Sequence, residues 1–560
     1  MVNNMSKVDG NPNTEMLDAI IVGAGFGGMY MLYKLREMGF SVKAFDRAKS
    51  VGGTWYWNRY PGARCDVVSL DYSYGFSDEL QQAWTWSEKY ASQPEILAYA
   101  EFVAKELDLE KDIRFETEIS KMRFDEENSC WHVTTSAGDV STAQYVVMAT
   151  GVLSTPKAPE IPGIEDFEGE LYYTSVWPHN DVSFEGKTVG LIGTGSSGIQ
   201  ALPEIAKEAG RVLVFQRTPS YTLPARNQRL DSKIVEETKQ RYAERRSEAR
   251  NHPAGHLRPL TDRKTLDMDE QERRRRFEDA WERGGLDMFG EFGDLLINQE
   301  ANDEIAKLAH EKIDELVKDP KTAEKLKPRS FPFAGRRICL DTDFYETFNR
   351  DNVELVDVSV NPIDHIDAKG VVTKKGRHDL DALVLAVGFD AMTGALLAID
   401  IEGRNGRSLR DKWADGPSTY LGIAIEGFPN LFTITGPGSP SVLTNMITSI
   451  EQHVEWIADL LDHMRGSELA EVEANVDAEV EWVKYTYDLA KDSLLMKANS
   501  WFLGANVPGK PRVFMPFAGG LVAYRKICDG VAAQSYRGFH FADKTHRPGD
   551  MKHEVKVSRP

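Results

Sequence analysis

The hydrophobic pattern switches between strand-like and helix-like spacing within the first 50 residues. Ala19 to Val22 is an unbroken apolar run, as in a strand buried on both faces. Met29, Leu32 and Leu35 then recur at helical intervals, and Ser41 to Phe45 reads as a second strand. Gly23, Gly25 and Gly28 stand between the first strand and the helix, and Asp46 follows the second strand, 21 residues past Gly25. That order is the dinucleotide-binding fingerprint. The first glycine makes the turn, the second lets backbone approach a pyrophosphate, and the third lets helix and strand pack. The helix N-terminus offers free N–H groups to phosphate, and Asp46 offers oxygens to ribose hydroxyls. Three such glycines also occur in ordinary βαβ turns. The strand, helix, second strand and acid together carry the reading.

The pattern returns between Lys187 and Pro219. Gly193, Gly195 and Gly198 each lie 170 residues after their counterparts, with Ser196 and Ser197 opening the helix. After the strand Val212 to Phe215, Gln216 stands near the place of the acid, and Arg217 and Thr218 follow. Loss of the acid with gain of an arginine suits a ribose bearing a 2′-phosphate, which arginine grips bidentately. The first unit is therefore predicted to hold FAD and the second NADP(H). The lesser alternative for Arg217 is an ordinary surface arginine after a strand; Thr218 read alone is a turn cap, and Gln200 is equally a plain helix residue.

From about Arg226 to Pro328 charges dominate, as in EETKQRYAERRSEAR, and surface-exposed helices inserted into the second unit are expected. The run Arg273 to Arg276 is flanked by acids and reads as a solvated helix face. Strand patterning resumes after Phe331, with alternation from Asn352 to Val360. Tyr145 to Gly151 and Asp381 to Ala391 are apolar strands running into a glycine, placed to carry the chain between the two units, and Leu431 to Gly436 opens the closing section. The expected fold is α/β with two Rossmann-like domains. Residues 1–151 and 388–560 form the FAD-binding domain, 152–225 and 331–387 the NADP-binding domain, and 226–330 the helical insertion.

Composition narrows the partners. The 560 residues are 41% hydrophobic and 28% charged, a soluble globular mix. The net charge of −20 disfavours nucleic acid and anionic lipid. No apolar run approaches the ~20 residues of a membrane span, and the polar start lacks a signal-peptide core, so a cytoplasmic location is expected. Cys65, Cys130, Cys339 and Cys528 stand far apart without a CxxC pair, which fits a reducing compartment and gives no indication of a zinc ribbon or a thioredoxin-type dithiol. No metal is predicted: His252 and His256 stand four apart, yet Pro253 and Gly255 lie between them.

Further motifs carry a family resemblance. Two dinucleotide folds occur in disulfide reductases, which need a cysteine pair near the flavin, and in flavin monooxygenases. FEGELYYTSVWP, Phe167 to Pro178, resembles the Baeyer–Villiger monooxygenase fingerprint F-x-G-x-x-x-H-x-x-x-W-P at Phe167, Gly169, Trp177 and Pro178. GGTWYWNRYPGARCD (Gly52 to Asp66), GRRICLDTDFYETFNRDNVELVD (Gly335 to Asp357), GPGSPSVLTNMITSIEQHVEWI (Gly436 to Ile457) and WFLGANVPGKPRVF (Trp501 to Phe514) are similar to other segments of that family. The resemblance runs from about Asp18 to Phe541, nearest to the phenylacetone and steroid branch, with cyclohexanone monooxygenases more distant.

The resemblance implies an FAD-containing, NADPH- and O2-dependent enzyme. It would convert ketones to esters or lactones through a peroxide at flavin C4a, with sulfoxidation as a side activity. It implies Arg337 as the catalytic arginine and Asp66 as the acid that orients it. Arg336 is matched to the NADP phosphate region. Gly53, Thr54, Trp55 and Asp66 belong to the flavin-contact segment; Gln200, Thr218, Met446 and Trp501 are further cofactor positions. Val67, Leu153, Ser441, Val442, Leu443 and Met446 would line the ketone pocket. Two positions depart from the pattern: Tyr173 replaces the fingerprint histidine, and Val387 stands where threonine is usual. A flavin monooxygenase that hydroxylates nitrogen or sulfur, or a non-catalytic redox-sensing FAD/NADP protein, is the rival reading. A monomer or weak homo-oligomer is expected.

Overall fold

The computed structural model describes residues 16–543. Its largest sheet has eight strands. Leu17–Val22 lies at its centre, parallel to Val42–Phe45 on one side and to Val140–Met148 on the other. Val42–Phe45 is extended by Ile113–Arg114. The long strand Val140–Met148 is shared along its other edge: its first half pairs antiparallel with Cys130–Thr135, and its last residues pair parallel with Leu431–Thr433. Asp400–Glu402 closes the far edge against Ile119–Asp125. The sheet thus takes strands from residues 17–148 and from residues 400–433.

A second, five-stranded sheet is parallel throughout, in the order Val353–Asp357, Arg211–Gln216, Thr188–Ile192, Ala382–Leu385, Glu170–Tyr173. All its strands come from residues 170–385. The two sheets repeat one local geometry. Gly23 has φ +108, and a Cβ on it would sit 2.5 Å from the carbonyl oxygen of Ala149; Gly193 has φ +107, and its Cβ would sit 2.4 Å from that of Ala386. In each case the neighbouring parallel strand passes too close for any side chain. Gly28 and Gly198 are equally constrained, by the carbonyls of Gly23 and Gly193.

Two crossovers join the sheets and are bonded to each other. Met392 N–H donates to Val152 O at 2.9 Å, Asp390 N–H to Thr155 O at 3.0 Å, and Lys157 N–H to Gly388 O at 3.1 Å. The crossovers therefore form a short antiparallel ribbon.

The charged stretch after Arg226 folds into helices, including Ser232–Gln240, Tyr242–Arg250, Glu270–Arg283, Gln299–Leu316 and Pro320–Leu326. Their burial corrects the expectation of surface-exposed helices. Phe277, Trp281, Ile305 and Leu308 make a core of their own with Tyr221, Leu223 and Phe333. Charges crowd one face and draw attention from a sparse apolar stripe on the other. The arginine run is less solvated than expected: only Arg275 is exposed, while Arg273 and Arg274 pair with Glu304 and Glu311 on the neighbouring helix. The insertion is closed where Thr222–Pro224 pairs parallel with Cys339–Asp341. No helix among the described residues is long and apolar enough to cross a membrane.

Candidate active site

The strand Cys339–Asp341 fixes Arg337, which lies just before it. Cys339 Sγ is 3.0 Å from Ser196 Oγ at the start of the second glycine-turn helix, so the arginine is set beside the second nucleotide cradle. From there it reaches the other domain. Its Nε donates to Asp66 Oδ2 at 3.0 Å, its Nη2 to Asp66 Oδ1 at 2.7 Å, and its Nη1 to the carbonyl of Val442 at 2.6 Å. Nη2 also donates to Asp66 Oδ2 at 2.6 Å. Of the five N–H groups of a guanidinium, these four bonds leave one, on Nη1, uncommitted among the described residues. Burial works against the Arg337 charge, but Asp66 beside it wins, holding the group above its ordinary value. The result is a fixed positive donor between the two domains.

An apolar cluster adjoins it. Val152, Ala391, Met392, Val442, Phe502, Leu503, Phe514 and Met515 are buried together, with Leu153, Leu443, Met446 and Trp501 packed half-buried against them. Four of the six ketone-pocket positions implied by the resemblance, Leu153, Val442, Leu443 and Met446, thus meet in one place from two separate parts of the chain. Ser441 lies beside them, fully buried on a short turn with φ +36, its hydroxyl toward Met446 Sδ. Val67 is the exception: it is buried in the core of the larger sheet, one residue beyond Asp66.

At the first glycine turn, Gly25 and Gly53 meet backbone to backbone; a Cβ on Gly53 would lie 2.9 Å from the Gly25 Cα. This brings Gly53, Thr54 and Trp55, at the start of the short helix Thr54–Trp57, against the glycine turn. Asp46 accepts from Ala24 N–H at 2.6 Å and Ala48 N–H at 2.8 Å. Burial raises its pKa against the pull of these two N–H groups. The bare backbone cradle and the spare lone pairs of Asp46 fit a dinucleotide.

The second turn is more open: a Cβ on Gly195 would meet nothing within 4 Å. Gln216, where the acid would stand, is buried and donates to the carbonyl of Lys325, so it faces the insertion. Arg336 stacks on Phe331, 4.3 Å from its ring centre, and its buried Nε has no partner. Burial first, then Arg217, lower its pKa. A cation without an acidic partner among the described residues, pushed by a second cation, fits a phosphate. Ser196 is engaged with Cys339, and Ser197 lies beside Tyr60. Thr218 accepts through its carbonyl from Thr194. Gln200 is spent within the protein: it accepts from Tyr60 Oη at 2.8 Å and donates to Arg64 O at 3.0 Å.

Several contributors had no signal in residue spacing. Asp71, fully buried, holds Arg245 of the insertion through bonds of 2.6 and 2.9 Å, and its carbonyl accepts from Asn445. The insertion thereby braces the loop after Asp66 and the start of the helix Met446–Gly466. At the crossover ribbon, Asn506 donates to Phe389 O at 2.7 Å, and Lys510 bonds Asp390 and donates to Ala391 O at 2.7 Å. These bonds fasten the segment carrying Trp501. The fold also brings Asp125, Cys130 and His132 together. Asp125 is occupied by the N–H groups of Glu127 and Asn128, and His132 by Thr142, in the manner of a hairpin turn.

Two glycine-turn folds, an interdomain arginine and the apolar cluster beside it define a two-nucleotide oxidoreductase. The described cysteines are all unpaired and buried, and burial pushes Cys339 up to about 11, so a dithiol is not its working part. Residues 20–275 match the family model "Pyridine nucleotide-disulphide oxidoreductase". The chain is 40% identical over 523 residues to a Baeyer–Villiger monooxygenase of Pseudooceanicola batsensis (strain ATCC BAA-863 / DSM 15984 / KCTC 12145 / HTCC2597), covering 93% of this chain and 95% of that one. It is 41% identical over 526 residues to phenazine N-monooxygenase PhzNO1 of Lysobacter antibioticus, covering 93% and 96%. The solved structure of an oxidized steroid monooxygenase bound to NADP superposes with a TM-score of 0.91 at 47% identity, covering 94% of this chain and 100% of that one. The chain belongs to the Baeyer–Villiger monooxygenase family.

Proposed function

We propose that the chain is an FAD-containing, NADPH- and O2-dependent monooxygenase that inserts one oxygen atom beside a ketone carbonyl. Ketone, O2, NADPH and a proton give ester or lactone, NADP⁺ and water. The supporting observation is Arg337, held by Asp66 and the Val442 carbonyl with one N–H to spare at the edge of an apolar cluster. FAD reduced by NADPH supplies the activated oxygen. The chain's own residues do the rest. The Gly23 and Gly193 turns seat the two nucleotides, and Arg217 and Arg336 favour a 2′-phosphate. Leu153, Leu443, Met446 and Trp501 give a ketone an apolar surface and exclude water. Arg337 meets the charge that develops on the carbonyl oxygen, and it cannot be neutralised by losing a proton.

The phenazine N-monooxygenase relative supports a second reading, oxygen transfer to nitrogen, for which the same cradles would serve. An arginine fixed to receive an oxyanion supports the ketone reading. The test is direct. Purified protein should be yellow, and NADPH should bleach it faster than NADH. In air, phenylacetone should gain one oxygen atom as an ester while phenazine does not. Phenazine N-oxide without ester would overturn the ketone reading. Unpaired cysteines support a reducing, cytoplasmic setting, and we read the working unit as a monomer or weak homo-oligomer.

A further inference from the structure

The loop that carries Asp66 belongs to the larger sheet's fold, yet it is seated in the core of the other. Tyr60 and Ala63 are buried in one cluster with Ile199 and Leu202 of the helix Ser196–Glu208 and with Val189, Leu191 and Val214 of the five-stranded sheet. Gly62 has φ +79, and a Cβ on it would sit 2.2 Å from the Gln200 carbonyl oxygen, so the loop lies against the helix backbone. One side-chain amide closes the contact. Gln200 Oε1 accepts from the Tyr60 hydroxyl at 2.8 Å, and Gln200 Nε2 donates to Arg64 O at 3.0 Å, two residues before Asp66. The Arg64 carbonyl can only accept, so the amide has one orientation. Along its other edge the loop is bonded to its own fold: Gln93 N–H donates to Ala63 O at 2.9 Å and Cys65 N–H to Ala91 O at 3.2 Å.

The same helix registers the other half of the ion pair. Ser196 Oγ, one turn before Gln200, lies 3.0 Å from Cys339 Sγ, two residues past Arg337. Asp66 and Arg337 are thus each referred to the first turns of one helix. We propose that Tyr60 and Gln200 are positioning residues: their hydrogen bond sets the Asp66 loop on that helix and so the aim of the Arg337 guanidinium. This rests on the reading of Arg337 as the group that meets the ketone's developing charge. A displaced carboxylate turns the guanidinium that it grips with two oxygens, and a misaimed donor lowers the rate of the chemical step more than it weakens binding.

The experiment uses the FAD-loaded protein. Steady-state kinetics with phenylacetone give kcat and KM, calorimetry gives the NADP⁺ dissociation constant, and thermal melts report folding. Tyr60→Phe should lower kcat for ester about tenfold, with the ketone KM and NADP⁺ binding unchanged and more NADPH spent per ester. Gln200→Met, which keeps the stem and removes both bonds, should lower kcat likewise and carries the same comparison if Tyr60→Phe does not fold. In an Asp66→Asn background neither change should lower kcat further, because the link through which they act is already loosened. An unchanged kcat in the single variants overturns the inference. So does an equal fractional loss with and without Asp66→Asn, which would make the bond only a brace of the fold. Weaker NADP⁺ binding in Gln200→Met with Tyr60→Phe silent overturns it too, since Gln200 would then serve the cofactor. If Arg337→Ala still forms ester, the reading of the arginine itself fails, a result distinct from these.

Discussion

Asp66 and Arg337, 271 positions apart in the chain, meet in a two-pronged ion pair across the boundary between the two nucleotide folds. The carboxylate fixes the plane of the guanidinium, and the Val442 carbonyl fixes one Nη1, so the remaining Nη1 N–H points in a defined direction. Arg337→Ala should abolish ester formation while NADPH still bleaches the flavin. Asp66→Asn should keep the charge but loosen its aim, lowering kcat about 10²-fold, near the loss seen for a misplaced oxyanion donor. Product mass spectrometry and stopped-flow absorbance separate the two effects.

His453 predicts an acid limit to stability. It is fully buried, and Thr435 N–H donates to its Nδ1 at 2.9 Å, while Nε2 lies 2.7 Å from Tyr524 Oη. A proton on Nδ1 would face the Thr435 N–H head-on. Burial accordingly brings its pKa down to about 3. The unfolded chain, with an ordinary histidine near 6.5, binds the proton more readily. The contribution is therefore fully present above pH 6.5 and is lost as pH falls toward 3. Thermal melts of His453→Gln should show a shallower loss between pH 6.5 and pH 4 than the parent; equal slopes would remove His453 from the account.

Tyr173 and Val387, the two departures from the family pattern, pack half-buried against one apolar cluster that includes Ile192, Leu213, Phe215 and Leu385. The Tyr173 hydroxyl makes no hydrogen bond among the described residues. Tyr173→Phe should therefore change stability by less than about 0.5 kcal/mol and leave ester formed per NADPH unaltered. Tyr173→His should cost on the order of 1 kcal/mol, with part of the loss recovered when combined with Val387→Thr. A stability gain in Tyr173→His alone, read by thermal melting, would contradict this.

Lys510 holds the Trp501 segment to the crossover through Asp390 and Ala391 O, with its own side chain only 10% exposed. Lys510→Met keeps most of the stem's packing and removes the charge, leaving Asp390 without its cation. Faster hydrogen exchange across residues 500–515 and a lower ester yield per NADPH are expected. Unchanged exchange there would show that the apolar contacts of Phe502 and Phe514 suffice.

Much of this was readable along the chain, for a physical reason. A glycine turn is a local event: the positive φ, the strand before it and the helix after it lie within about 25 residues, so both nucleotide units and the Asp46/Gln216 difference are visible without a fold. The fingerprint linker and Arg337 were legible only because the sequence resembles a family. Spacing alone cannot mark an arginine whose partner lies 271 positions away. The insertion misled for the opposite reason, because its dense charges hid a thin apolar stripe.

By itself, then, the sequence determined the two cradles, the difference between them and the absence of a dithiol, since each depends on neighbours in the chain. Tertiary structure alone decided that Asp71 and Arg245 brace the loop after Asp66, that Gln200 turns inward to Tyr60, and that Lys510 fastens the Trp501 segment. These depend on which distant segments share a low-dielectric space. Charge pairs and hydrogen bonds acquire their strength only once folding has excluded water from between them.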